Sequence, residues 1–504
     1  MIATFMAVLD ATITNVALPK LMASFGVSVD AVEWIVTAYL LVFAVMLPSS
    51  GWIGDHWGYK RTFLLGLFLF TFGSFLSGQA WSFDVLIASR VIQGSGAGLV
   101  LPLGMAIITR EFPPEKRGIA LGFWSVAASA SVSLGPAAGG YLIDHFSWHT
   151  IFDVNVPIGI FALFAAFVIV REYRAEHRRS FDIIGFLSLA AFLTTLLLAL
   201  SDGNAAWNTD GWTSSFILWN FAISGIALVV FLITEMTVRH PLIEIDLFKN
   251  FNFTVSNIVL FIFGFGMFGG NFLLPIYLQN SLGYTPLQAG LVFVPVGLLL
   301  GATAPFAGMF ADKYSAKIPV IIGMALLALT FYQFSFLSYL SERTQIMIPL
   351  CIRGVAMGLI FSPLTTIAIS EITNRKMAQA SGLINVIRQV GGSFGVAVFG
   401  TILTQRTIFH ASMYGQQLQQ DSPTLLQTIA RLRYFAEGAV GSTFHQATQQ
   451  ANALLYKFVG TQAFIQAVDD VFLIAGAILI ICIIPLLFLR TNHRNRSHSV
   501  AAAE

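Results

Sequence analysis

Ile2-Ala-Thr-Phe-Met-Ala-Val-Leu-Asp10-Ala-Thr-Ile-Thr-Asn15-Val-Ala-Leu-Pro19 is an apolar stretch long enough to cross a bilayer, with one carboxylate at its centre. Placing an ionised carboxylate at that depth costs about 2.5–3.5 kcal/mol on insertion scales. Desolvation favours the neutral acid and a neighbouring arginine favours the carboxylate, so such a group is suited to binding and releasing protons. The alternative is an acid that merely packs, hydrogen-bonded to Thr12, Thr14 or Asn15.

Working outward, the same pattern fills the chain. Hydrophobic residues make up 56% of the 504 and charged residues 10%, where a soluble domain carries about 25% charged residues. Fourteen apolar spans follow, near 2–24, 33–53, 62–80, 84–108, 119–142, 151–170, 183–201, 214–234, 253–279, 287–309, 319–340, 347–370, 381–405 and 470–489. The expected fold is an all-α integral membrane protein. Cys351 and Cys482 fall in separate spans and read as small hydrophobes. The net charge of +2 gives no reason to expect nucleic acid.

Lys60, Arg61, Arg110, Lys116, Arg117, Arg171, Arg239, Lys249, Lys313, Lys317, Arg375 and Lys376 sit in alternate loops, and the loops between are nearly bare apart from Arg343. The positive-inside rule makes the basic loops and both termini cytoplasmic. Met1 already lies in the first span without a basic flank, so the reading expects a short cytoplasmic segment ahead of it.

The chain also repeats itself. Gly51-Trp-Ile-Gly-Asp55 recurs as Gly308-Met-Phe-Ala-Asp312 at an offset of 257, and Gly135 and Gly140 recur as Gly395 and Gly400 at 260. Arg90 is echoed by Arg353. This gives an expected six-helix half at 1–171, two inserted helices with a linker at 172–252, a second six-helix half at 253–490, and a cytoplasmic tail at 491–504. Repeats of this parallel kind place a substrate path between the halves.

Several motifs carry a family resemblance. Leu9-Asp10 through Pro19, Gly51-x-x-Gly54-Asp55-x-x-Gly58-x-Lys60-Arg61, Arg90-Val-Ile-Gln93-Gly94 and Gly135-Pro136-x-x-Gly139-Gly140 stand at matching places. With Asn155-Val-Pro157-Ile-Gly159 and Phe361-Ser-Pro363, they resemble the fourteen-helix drug:proton antiporters of the major facilitator superfamily, in the branch of the EmrB-like multidrug exporters. The similarity runs from about Ile2 to Arg490.

The resemblance implies a proton-coupled exporter of lipophilic or amphipathic compounds in the cytoplasmic membrane, working by alternating access. Asp10 would carry the proton and Arg90 tune it. Gly51, Gly54, Asp55, Gly58, Lys60 and Arg61, with Asp312, would form a gate between the halves. Gly135, Pro136, Gly139 and Gly140 would be the packing motif of an exporter's fifth helix. Asn15, Trp34, Tyr39, Gln93, Trp124 and Met267 are candidates for the substrate cavity, with aromatic faces for flat or cationic compounds.

Asp153 and Glu33 read as groups near the outer ends of their spans, and Arg388 as mainly structural. The long outer loop at 406–469 includes a stretch from Leu425 to Phe435 that reads as amphipathic helix. The resemblance implies a docking surface there for a periplasmic adaptor of the EmrA kind, leading to an outer-membrane channel. No metal cluster, nucleophile triad or phosphate-cradling loop is present, so neither an enzyme nor a cofactor is expected. Rival readings are an exporter of one metabolite or lipid and a non-transporting membrane scaffold or sensor.

Overall fold

The structure is a computed structural model that describes residues 1–111, 131, 134–173, 181–203, 208–238, 241–243, 245–370, 372, 377–417, 423–440 and 444–489. The described residues form helices joined by turns, with no strand among them. In chain order these are α1 (Ile2–Phe25), α2 (Val29–Trp57), α3 (Tyr59–Gly78), α4 (Phe83–Glu111), α5 (134–145), α6 (Thr150–Asp153) and α7 (Asn155–Ile169). Then come α8 (Ile183–Asp202), α9 (Ser215–Thr237), α10 (Phe251–Asn280), α11 (Pro286–Leu291), α12 (Val294–Lys313) and α13 (Lys317–Phe334). The last four are α14 (Arg343–Ile369), α15 (Met377–Gln417), α16 (Pro423–Val440) and α17 (Phe444–Leu487).

Thirteen spans long and apolar enough to cross a membrane occur among the described residues. They match the expected spans except the one at 119–142, most of which lies outside those residues, as does Trp124.

Local chemistry explains where the helices start and stop. Gly26, at φ 65°, closes α1 by donating its N–H to Met22 O, the left-handed cap that glycine adopts without a Cβ penalty. Asp182, Ser214 and Asn250 accept N–H bonds from the first turns of α8, α9 and α10. Two expected spans are each broken into a short and a long helix. Pro157 has no N–H to offer Asp153 O, which separates α6 from α7, and Pro295 leaves Leu291 O in the same position between α11 and α12.

Packing reproduces the repeat. In the first half α4 lies against α2 and α3, and α3 against α7; in the second, α14 lies against α12 and α13, and α17 against α13 and α15. The halves meet where α1 touches α10 and where α2 touches α15. The inserted α8 and α9 pack together as a pair, and α8 reaches both α2 and α15.

The outside of the bundle is apolar. Trp219 is 65% exposed and Met236 76%, while Asn220, Ser224 and Glu235 of the same helix are buried. That polarity suits a lipid solvent, since such a contiguous apolar surface would aggregate in water.

The segment expected as a long loop at 406–469 is helical through its described residues. α15 continues to Gln417, α16 lies on α17, and α17 begins at Phe444. With 44 residues, α17 is roughly 66 Å long, about twice the thickness of a hydrocarbon core. Its first turns therefore project with the end of α15 beyond the bundle. Asp470 ties the base of this projection together, accepting from Arg406 Nε at 2.6 Å and meeting His410 Nε2 at 2.7 Å.

Candidate functional site: a buried acid–arginine cluster beside the seam between the halves

Asp10 occupies the middle of α1 and is 0% exposed. Arg90, about two turns into α4, donates through Nη1 to Asp10 Oδ2 at 2.5 Å. Gln93, one turn further on, donates to Oδ1 at 2.8 Å, and Asn155 at the start of α7 donates to the same oxygen at 3.1 Å. Both carboxylate oxygens are thus satisfied by donors from two other helices. The donor set differs from the bland alternative: Thr14 Oγ1 donates to the main-chain carbonyl of Asp10 at 2.8 Å, leaving the carboxylate to Arg90, Gln93 and Asn155.

The second layer fixes these donors. Arg90 Nε donates to Ile35 O at 3.1 Å and Nη1 also to Gln93 Oε1 at 2.6 Å, and its Cζ lies 4.2 Å from the centre of the Tyr39 ring. Tyr39 in turn donates to Ala7 O at 3.2 Å. Asn155 also meets Ser74 Oγ at 3.1 Å, and Ser74 donates to Phe152 O at 2.9 Å. A buried pair survives desolvation only when its geometry is good and the groups around it are bonded; here both carboxylate oxygens are held, and Nε and Nη1 of Arg90 have partners. The sequence offers Arg90 as the partner of Asp10, Gln93 as a cavity residue, and Asn155 only as part of the motif Asn155-Val-Pro157-Ile-Gly159, with no link to Asp10.

The repeat-related arginine lacks this partner. Arg353 of α14 is 0% exposed and donates through Nη2 to Met267 O at 2.8 Å and Asn271 Oδ1 at 2.9 Å. An amide stands where the first half has an acid, so the pair belongs to one half alone.

α1 is also a wall of the space between the halves. A narrow cavity there is lined by Thr12, Asn15 and Val16 of α1, Pro136 of α5, and Asn271, Pro275, Phe293, Val296 and Met357 of the second half. Of the expected cavity residues, Asn15 lines it. Tyr39 and Gln93 belong instead to the Asp10 cluster, and Trp34 hydrogen-bonds Asp202 at the seam with α8. Met267 contributes its carbonyl to Arg353.

Gly135, Gly139 and Gly140 bring α5 against its neighbours. A Cβ on Gly139 would lie 2.6 Å from Ile13 Cγ1, and one on Gly140 would lie 2.5 Å from Leu287 Cα. Pro136 meets Gly290 of α11 from the other side of the same contact. Leu287 N–H donates to Asp144 Oδ2 at 3.0 Å, and Gln279 Nε2 to Val16 O at 2.8 Å. The halves are therefore joined at the end of the bundle opposite the basic loops.

At the basic end, Gly58 turns the chain between α2 and α3 at φ 104°. Tyr59 Oη donates to Asp55 Oδ1 at 2.9 Å, Lys60 N–H to Glu172 Oε1 at 3.1 Å, and Arg61 Nε lies 3.6 Å from Glu172 Oε2. These contacts tie α2 and α3 to Glu172, just beyond α7. Gly51 faces open space, and a Cβ on Gly54 would press on Leu103. Asp312 ends α12 within its last turn, and its side chain lies outside the described residues. Asp153 is half-buried beside Gly78. Arg388 is held by Asn385 at 3.1 Å and by the Phe361 ring.

Glu33 departs most from its expected place. It is 0% exposed and enclosed between α2, α8 and α15, although its position at the start of a span suggested an interfacial group.

Comparison with known proteins places this architecture. The Major Facilitator Superfamily model matches residues 1–396. The chain is 32% identical to the "Multidrug export protein EmrB" of Haemophilus influenzae, over 94% of this chain and 90% of that one. It is 31% identical to an uncharacterized MFS-type transporter, YhcA, of Bacillus subtilis, over 98% and 92%. It is 30% identical to the "Fatty acid resistance protein FarB" of Neisseria gonorrhoeae, over 97% and 94%. Among solved structures, an inward-facing, unoccupied bacterial homolog of the human lysosomal transporter Spinster shares the fold with a TM-score of 0.60 at 18% identity, covering 97% of both chains. With its two helical halves, its inserted pair and its motifs, this chain belongs to the major facilitator superfamily, as a transporter similar to the EmrB multidrug export proteins.

Proposed function

We propose that the protein is a proton-driven antiporter that exports lipophilic or amphipathic compounds by alternating access. One observation carries the reading: α1 presents Asp10 to Arg90 on one face and Thr12, Asn15 and Val16 to the inter-half cavity on the other. A proton added to Asp10 removes the charge that holds Arg90, and the resulting shift of α1 reaches the cavity wall directly. In this conformation the pair is sealed, so a proton reaches it only when the packing around α1 loosens.

The cavity wall suits the substrate class. Val16, Pro136, Pro275, Phe293, Val296 and Met357 are apolar, and Thr12, Asn15 and Asn271 offer neutral polar contacts without a formal charge. The names of the EmrB and FarB relatives, multidrug export and fatty acid resistance, fit compounds of that character.

With the basic loops cytoplasmic and the protein in the inner membrane, the joined end of the halves is the outer one, and this state is closed to the outside. The helical projection of α15, α16 and α17 then stands outside the membrane, where a periplasmic adaptor leading to an outer-membrane channel would dock. A proton moving inward gains about 2.3 kcal/mol per 100 mV from the potential alone.

The test is efflux from loaded, energised vesicles with a protonophore added. Antiport predicts that efflux stops when the gradient collapses, and efflux that continues at the same rate contradicts it.

A further inference from the structure

α2 and the α11–α12 pair are repeat-related helices, and each flanks one seam between the halves. The offset of 257 that sets Asp55 on Asp312 also sets Val29 on Pro286, where the two helices begin, and position 33 on Gly290. In the seam of α5 with α11, Gly290 lets backbone meet backbone, because a Cβ there would collide with the Pro136 carbonyl. In the seam of α2 with α15 the same position carries Glu33. Its Oε2 lies against Gly400, the repeat counterpart of Gly140. A carboxyl therefore fills one seam at the point where the other has no side chain.

The surroundings of this carboxyl are unusual for an anion. Ser201 Oγ, from the inserted helix α8, donates to Glu33 Oε1, while Oε2 has no hydrogen-bond partner although it is buried. The charged groups facing Glu33 are Asp30, one turn earlier on α2, and Asp202 at the end of α8. α15 contributes Gly400 and Thr401, and the Thr401 hydroxyl is committed to Leu200 O at 2.6 Å. Among the described residues no Lys, Arg or His forms an ion pair with Asp30, Glu33 or Asp202. Buried carboxylates are normally held by several donors or a cation. This one has a single hydroxyl and two acidic neighbours.

We propose that Glu33 is a second proton-binding site, loaded through the Asp30 and Asp202 mouth, and that its charge sets how closely α15 packs on α2. With the proton added to a carboxylate oxygen, the neutral acid lets Gly400 close over Oε2. When the proton leaves, the anion draws water into the seam and pushes α15 away. Its use in transport rests on the antiport reading above; proton binding at Glu33 stands on the seam itself.

The experiment is pH-difference infrared spectroscopy of the reconstituted full-length protein, comparing wild type with Glu33→Gln and Ser201→Ala. A carboxyl C=O band that titrates in wild type should vanish in Glu33→Gln and titrate at a changed pH in Ser201→Ala. Identical pH-difference spectra in wild type and Glu33→Gln overturn the site. Substrate-driven proton movement measured on the same proteoliposomes should fall in protons per substrate in Glu33→Gln. Wild-type substrate efflux that moves no protons overturns the antiport reading instead, and leaves the infrared result to decide Glu33.

Discussion

Arg90 Nη1 donates to Asp10 Oδ2 over 2.5 Å, and both residues are 0% exposed. The pair is buried away from solvent, so each charge depends on the other for its solvation.

Removing the arginine should expose that dependence. Arg90→Met leaves the Asp10 carboxylate buried without its cation, a change that costs about 3–5 kcal/mol in comparable sites. The detergent-solubilised variant should melt well below wild type. Asp10→Asn combined with Arg90→Met should recover part of the loss, and strict additivity of the two changes would argue against direct coupling.

Asn155→Leu deletes one donor to Asp10 and the partner of Ser74 together. An expected cost of about 1–3 kcal/mol follows from leaving buried acceptors unpaired. Thermal unfolding should show this loss in wild type but much less in an Asp10→Asn background, where the carboxylate is already gone.

Gly290→Val places a side chain against the Pro136 backbone. The halves should then fail to close at the end opposite the basic loops, and transport should drop at least about tenfold, a barrier change of roughly 1.4 kcal/mol or more. A cysteine placed by Val16→Cys should become more reactive to impermeant thiol reagents added from outside. Unchanged reactivity would show that this seam does not control access.

At the basic end, Gly58→Val should be more damaging than Glu172→Gln. The first forces a branched residue into φ 104° and against Glu172, a backbone cost of about 1–3 kcal/mol. The second removes a largely exposed ion pair, typically worth under about 1 kcal/mol. Melting temperatures of the two variants give the order directly.

Deleting 423–440 removes α16 without touching the spans that flank the cavity. Resistance of whole cells should fall more than transport in isolated vesicles. Equal losses would count against adaptor docking on this projection.

Much of this was legible in the sequence because a bilayer leaves few options. Apolar length gave the spans, and the offsets of Asp55 to Asp312 and Gly140 to Gly400 gave the two halves with their inserted pair. Asp10, Arg90 and Gln93 stood out because polar groups at bilayer depth are scarce. The contact of Asn155 with Asp10, and of Ser74 with Asn155, did not, since groups 145 and 81 positions apart leave no periodic trace.

Glu33 was misplaced for a related reason. Distance from the end of a span predicts depth along the membrane normal but says nothing about which neighbours enclose a side chain, and here α8 and α15 cover it. Within 406–469 the amphipathic pattern at Leu425–Phe435 marks α16, while the extension of α15 to Gln417 and the start of α17 at Phe444 are too polar to show as parts of spans. Tyr39 and Gln93 show the same limit: the sequence put them near the centre of the bundle, and only packing could separate the acid cluster from the cavity.

The most direct measurement is proton movement driven by substrate in proteoliposomes, wild type against Asp10→Asn, with the two proteins reconstituted in equal amounts. The account predicts that addition of a lipophilic substrate drives proton flux through wild type and none through the variant. Equal flux through both would contradict it.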